Sequence, residues 1–134
     1  MIDAYAHIGL PRFLSAEQML RVMDAHDVEK MMVSTAKTCA DLHELSRAAA
    51  SWPDRFRCVG LPLGRDAADR IANVRRQMQA GFSGIRIGEG LIVEQPELLE
   101  VIGQAGGTPV VLGTEALAHV AATLADFLDR YGDC

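Results

Sequence analysis

His7 ends a short apolar run, Ile2-Asp3-Ala4-Tyr5-Ala6-His7, and is the side chain here best suited to proton transfer. Successive side chains of a strand point to opposite faces, so Tyr5 and Asp3 are expected on the same side as His7. An imidazole at a strand end can act as a general base, or donate a hydrogen bond to a substrate carbonyl or carboxylate. It can equally be a histidine packed at a strand end. The Tyr5 phenol could donate to a substrate oxygen. Asp3, one pleat deeper, reads as a structural acceptor for Tyr5 or for a neighbouring strand.

A second group follows a later apolar run. Arg86 could clamp a substrate carboxylate through paired N–H groups, with Glu89 beside it in a substrate-binding role. Alternatively the two pair with each other or with Asp3. Thr114 and Glu115 open the last helical segment, where capping is the better account, since Glu115 would repel an anion. Cys39 lies with Thr35, Lys37 and Thr38 in a loop and would need a nearby base to act as a nucleophile. Cys58 reads as core, His26 as a helix C-terminal residue, and His43 and His119 as surface residues of helices. There is no G-x-G-x-x-G, P-loop or G-x-S-x-G, so dinucleotide, nucleotide and α/β-hydrolase chemistries lack their usual marks.

The elements that must position these residues recur along the chain. Five apolar runs, Ile2–His7, Lys30–Ser34, Phe56–Gly60, Phe82–Ile87 and Pro109–Leu112, begin 26 to 28 residues apart. Each is too short for a helix and rich in Val, Ile and Met, as in parallel strands buried on both faces. Helices are expected between them. Ser15 and Gln18 form a capping box ahead of an apolar face of Ala16, Met19, Leu20 and Met23. Asp41 and Glu44 make a similar opening. Asp66 precedes a stripe of Ala67, Ile71, Val74 and Met78. Pro96 suits the first turn of a fourth helix burying Leu98, Leu99 and Ile102. Thr114 caps a fifth with Leu117, Val120, Ala121, Leu124 and Leu128. Pro53 is a stop signal, and Gly81, Gly106 and Gly107 sit where helix ends need positive φ. The result is one α/β domain over 1–134, a parallel (βα)5 array. Two architectures fit: part of a (βα)8 barrel, or a flavodoxin-like doubly wound open sheet, which suits the length better.

Composition narrows the partners. The 134 residues are 49% apolar, 23% charged and 5% aromatic, with a net charge of -5. That balance argues against nucleic acid, for which clustered Lys and Arg are needed; the one adjacent basic pair, Arg75-Arg76, falls on a helix surface. No apolar run approaches the roughly 18 residues of a membrane span, and Asp3 interrupts any leader-like start. Three cysteines without a C-x-x-C pair suggest neither a disulfide framework nor a zinc knuckle, and a cytoplasmic location is expected.

Four segments carry a family resemblance. Ile2–Ile8, Met23-Asp24-Ala25-His26-Asp27-Val28-Glu29-Lys30, Gly81-Phe82-Ser83-Gly84-Ile85-Arg86-Ile87 and Thr108–Thr114 occur in order and at the right spacing. They resemble the first strand, the end of the first helix (often M-D-x-x-G-V-D-K), the fourth strand (commonly G-F-x-G-[IV]-[RK]-[LI]-H) and the fifth strand of the amidohydrolase-related, TIM-barrel metal-dependent hydrolases. The resemblance implies the first five βα units of an eight-unit barrel, with open edges that need self-association or C-terminal units not in this chain. It also implies where metal ligands should fall: Tyr5 and His7 on the first strand, Gly88 after the fourth, Gly113 on the fifth. One histidine remains, too few for a catalytic zinc, which usually needs three protein ligands; on this view Tyr5 fills the space of the missing metal. No metal or other cofactor is therefore expected. The implied activity is hydrolysis or a lyase step on a small carbonyl or carboxylate substrate. His7 would be the acid/base, Arg86 the anion clamp, and Tyr5 and Glu89 further substrate contacts. The alternative is a non-catalytic protein of this type with a binding or assembly role.

Overall fold

The computed structural model describes residues 1–112 and 117–132. Strands β1 (Ile2–His7), β2 (Lys30–Ser34), β3 (Phe56–Gly60), β4 (Gly84–Gly88) and β5 (Thr108–Leu112) form one parallel sheet in the order β1-β2-β3-β4-β5. Helices are α1 (Ala16–Ala25), α2 (Leu42–Ser51), α3 (Ala67–Gln79), α4 (Glu89–Glu94), α5 (Glu97–Gln104) and α6 (Leu117–Tyr131). A doubly wound sheet reverses direction at a switch point, as in the order 2-1-3-4-5. A sequential order never reverses, so crossovers of one hand put every helix on the same side. The architecture is a half-barrel, and the flavodoxin-like alternative is ruled out by strand order.

Three helix starts follow from local hydrogen bonding. Ser15 and Gln18 make the full capping box of α1. Asp41 accepts from the Glu44 amide at α2, and Asp66 from the Asp69 amide at α3. Gly81 (φ +88°) and Gly106 (φ +69°) carry the left-handed turns expected of them, whereas Gly107 does not have a positive φ. Asp27 adopts φ +54° without being glycine, at the position where the resembled motif reads Gly.

Other expectations need correction. The Asp41–Glu44 opening is half a capping box: the Glu44 carboxylate leaves its own helix and accepts from the Ala16 amide at the start of α1. β4 begins at Gly84, not Phe82; Phe82 is instead a buried member of the core cluster that holds Phe56, Cys58 and Leu45. The fourth helical segment is two helices, with Pro96 at the N-cap of α5. Ala67 of α3 is exposed, as are Leu117 and Leu128 of α6, where Val120 and Phe127 are buried instead. The expectations for Gly113, Thr114 and Glu115 lie outside the described residues.

The core sits between sheet and helices in two clusters. One joins Met31, Val33, Phe56 and Cys58 to Met23, Leu45 and Ala48; the other joins Ile85 and Ile87 to Val74, Leu98, Ile102, Val120 and Phe127. The opposite face of the sheet, which would line a closed barrel, is less covered. Lys30, Arg57 and Thr108 are exposed on it, and its two edges are β1 and β5.

Candidate active site

A bulge shapes the first strand. Asp3 pairs with Met31 and His7 with Ser34, so one extra residue sits in β1 between Asp3 and Ala6. The two-residue alternation therefore breaks, and Asp3 is out of phase with His7 rather than one pleat below it. Its carboxylate turns to its own backbone and accepts from the Tyr5 amide at 3.0 Å. Tyr5 and His7 remain together: their rings meet edge-on at 5.1 Å, and the Tyr5 hydroxyl is 3.3 Å from His7 Nε2.

Arg86 of β4 closes this group. Its Nη1 donates to the Tyr5 hydroxyl at 2.5 Å and lies 3.1 Å from His7 Nε2. A guanidinium has no acceptor, so His7 Nε2 must accept and the ring proton sits on Nδ1. The environment agrees. Burial, then the charge of Arg86, then that of Arg12 hold the His7 pKa below its ordinary value, favouring the neutral ring. Phe13 stacks on His7 at 5.0 Å, with the Arg12 guanidinium 5.6 Å above the Phe13 ring. The structure thus joins three residues that the sequence placed on two separate strands. Arg86 does not pair with Glu89 or Asp3. Glu89 is the first residue of α4, and its Oε2 is buried without a hydrogen-bond partner among the described residues.

Arg86 also lines a cavity of about 700 Å³ at the C-terminal ends of β3, β4 and β5, together with Lys37, Leu61, Arg70, Glu94 and Leu112. Its wall is built by residues to which the sequence gave no prominence. Gln77 of α3, buried, accepts from the Leu61 amide at 3.0 Å and donates to the Leu61 carbonyl at 2.7 Å. Asn73, one turn earlier, accepts from the Leu63 amide at 3.1 Å. Gly60 is required by this arrangement, since a Cβ there would lie 1.7 Å from Gln77 Oε1. Gln95, also buried, accepts from Arg70 Nε at 2.8 Å and donates to the Ala67 carbonyl at 2.9 Å. No sequence pattern marks them, since Gln77 follows Arg75-Arg76 and Gln95 stands between Glu94 and Pro96 outside any helix.

Cys39 lies half-buried in a 3-10 turn (Lys37–Cys39) after β2, where its carbonyl accepts from the Thr35 hydroxyl. Cys58 is buried, and burial pushes its thiol up to about 12, so it is no nucleophile. His43 and His119 are exposed on helices.

The donors present do not suit the divalent ion that the resembled family would place here. Among the described residues no three His, Cys, Asp or Glu side chains are grouped to hold one. Tyr5 stands where a histidine would be, and the His7 Nε2 lone pair faces the Arg86 guanidinium, itself a cation.

No protein-family model matches the chain, and no curated protein matches it. Two solved structures are similar in fold. A probable 2-pyrone-4,6-dicarboxylic acid hydrolase from Acinetobacter baumannii, solved with citric acid bound, superposes with a TM-score of 0.70 at 13% identity, over 93% of this chain and 54% of that one. The 5-carboxyvanillate decarboxylase of Sphingomonas paucimobilis gives 0.52 at 19% identity, over 69% and 34%. The chain spans about half the length of the first of these. At such identities the likeness establishes the fold, which is that of a partial (βα) barrel. No helix among the described residues is long and apolar enough to cross a membrane.

Proposed function

We propose that this chain belongs with the amidohydrolase-type barrel proteins and acts on a small carboxylate substrate, by hydrolysis or a lyase step, without a divalent metal. One observation carries the reading: the Arg86 guanidinium, anchored at Nη1 by Tyr5 and His7, lines a cavity that opens at the strand C-termini. Active sites of βα barrels lie at that end. A half-buried arginine without a carboxylate partner is suited to a carboxylate ligand. The two similar structures support this class, one being a dicarboxylic acid hydrolase solved with citric acid and the other a decarboxylase of a carboxylated compound.

In this scheme Arg86 holds the substrate carboxylate through N–H groups not spent on Tyr5 and His7. The carboxylate, a stronger acceptor than a neutral phenol or imidazole, draws the guanidinium toward itself. His7 Nε2 is then free to take a proton from water attacking the substrate carbonyl, and to return it to the leaving oxygen or nitrogen as the C–O or C–N bond of the tetrahedral adduct breaks. Arg86 keeps His7 neutral beforehand, which is the state a base needs. The Tyr5 hydroxyl donates to a substrate oxygen, and Glu89 accepts from a substrate hydroxyl through its unpartnered Oε2. Closure of the barrel by a second copy or by further βα units, and a cytoplasmic setting, belong to the same proposal. The exposure of Met1, Ile2 and Leu112 on or beside the edge strands supports closure, and the free thiols of Cys39 and Cys58 suit a reducing compartment.

A non-catalytic binding role is the second reading, favoured by the engagement of His7 Nε2 with Arg86. Calorimetric titration with citrate as probe tests the shared part: Arg86→Gln should weaken binding about 10- to 100-fold, as loss of a charge-assisted pair does. Absence of carboxylate binding by the native chain would sink both readings. A lactone and amide screen separates them, because His7→Ala should abolish turnover and keep binding only if the chain is an enzyme.

A further inference from the structure

The cavity beside Arg86 is more positive than one carboxylate requires. Three cations line it from three different elements: Lys37 from the turn after β2, Arg70 from α3 and Arg86 from β4. Among the described residues Glu94 is the one acidic residue in its lining. This occurs in a chain of net charge -5 with 18 acidic residues. Arg47, Arg55, Arg65 and Arg130 have carboxylate partners, while among the described residues Arg12, Arg21, Lys30, Arg57, Arg75 and Arg76 have none; what sets the cavity apart is that three such cations share one lining. Among the described residues Lys37, Arg70 and Arg86 have none within ion-pair distance.

Arg70 is also held in place. The Gln95 side chain, 2% exposed, fixes Arg70 Nε and ties itself to the Ala67 carbonyl in the first turn of α3. Burying an amide costs free energy unless both its ends are bonded. Here both ends are bonded, and one of them goes to the side chain of a cavity-lining cation. Among the described residues the Nη groups of Arg70 have no protein acceptor. The same construction recurs at Arg86, anchored at one nitrogen by Tyr5 and His7.

We infer that Arg70, positioned by Gln95 and assisted by Lys37, forms a second anion subsite, so that the ligand of this cavity carries two separated carboxylates, one for Arg70 and one for Arg86. The inference rests on the carboxylate reading above and adds to it the number and placement of the charges. Two anchored guanidiniums on different elements suit a ligand with charge at both ends. A compact dianion such as phosphate would engage one of them.

The test is calorimetry on the full chain at low ionic strength with succinate, glutarate, butyrate and inorganic phosphate as probes. Either dicarboxylate should bind at least about tenfold more tightly than butyrate. Arg70→Gln and Lys37→Met should erase that gap while leaving butyrate binding in place, and Arg86→Gln should weaken every carboxylate. Gln95→Leu should reproduce part of the Arg70→Gln effect; should it fail to fold, Arg70→Gln and Lys37→Met still decide the matter. A gap that survives Arg70→Gln, equal binding of butyrate and the dicarboxylates, or phosphate binding as tight as theirs would overturn the second subsite but leave the single-carboxylate reading standing. Absence of binding by every carboxylate would overturn both.

Discussion

Nη1 of Arg86 lies 3.1 Å from Nε2 of His7, joining residues 79 positions apart. This contact fixes the ring's tautomer and couples the basicity of one strand end to the charge of another.

The coupling has a measurable sign. The His7 pKa is held below its ordinary 6.5 by burial first, then by Arg86 and Arg12. A histidine with a depressed pKa binds fewer protons folded than unfolded. Its neutral form therefore supports the fold fully above pH 6.5, and that support is lost as pH falls through the depressed value. Arg86→Gln should move the His7 midpoint upward and shrink the acid-side loss of stability. Proton NMR of the imidazole reads the midpoint directly, and one that stays put would refute the coupling.

Arg47 ties α2 to α1. It donates to Glu17 through Nη2 at 2.7 Å, and to Glu44 through Nη2 at 2.6 Å and Nε at 3.1 Å, while Glu44 also accepts from the Ala16 amide. Glu44 is buried, so removing Arg47 strands its carboxylate. Arg47→Met should cost about 3 kcal/mol in urea denaturation. The double change Glu44→Gln with Arg47→Met should cost less than the two singles added together, and strict additivity would count against the network.

Gly84 of β4 is paired with Thr108 of β5. A Cβ there would lie 2.2 Å from the Thr108 carbonyl oxygen, a backbone atom that cannot swing aside. Gly84→Ala should destabilise by about 2–3 kcal/mol through forced separation of the strands. An urea midpoint equal to that of the native chain would show that the two strands have slack.

Asp27 is the reverse case. It holds a left-handed backbone, φ +54°, after α1. Relief of that conformation outweighs the extra freedom glycine gives the unfolded chain, so Asp27→Gly should stabilise by about 0.5 kcal/mol. A lowered denaturation midpoint would contradict this account of the turn.

Thiol chemistry discriminates between two cysteines. Cys58 is 1% exposed and its thiol is pushed up to about 12 by burial, whereas Cys39 is half-buried in a turn. A disulfide reagent at pH 8 should label the Cys39 peptide of the native protein and spare the Cys58 peptide until denaturant is added. Early labelling of Cys58 would mean that β3 opens readily.

Much of the scaffold was legible before any tertiary contact was known. The limits of β1, β2 and β3 follow from apolar runs bounded by helix starts, and the caps at Ser15, Asp41 and Asp66 bond amides three residues away. Such signals are local, because a helix start must satisfy its own amides with nearby side chains. The Asp41–Glu44 box misled at one half for a related reason. Glu44 had two acceptable partners, its own helix start or the amide of Ala16 and the guanidinium of Arg47, and only packing brought the second pair within reach.

The sequence by itself determined five parallel βα units, the starts of α1, α2 and α3, and the candidates Tyr5, His7, Arg86 and Glu89. Tertiary structure decided that the strands run in sequential order as a half-barrel, that a bulge removes Asp3 from the His7 face, and that Arg86 reaches across to Tyr5 and His7. It also decided that Gln77 and Gln95 shape a cationic cavity. The physical reason is range. Periodicity and capping act over a few residues, whereas the partner of a buried polar group is chosen by which strands and helices pack together, and one extra residue in a strand is enough to change which side chains meet.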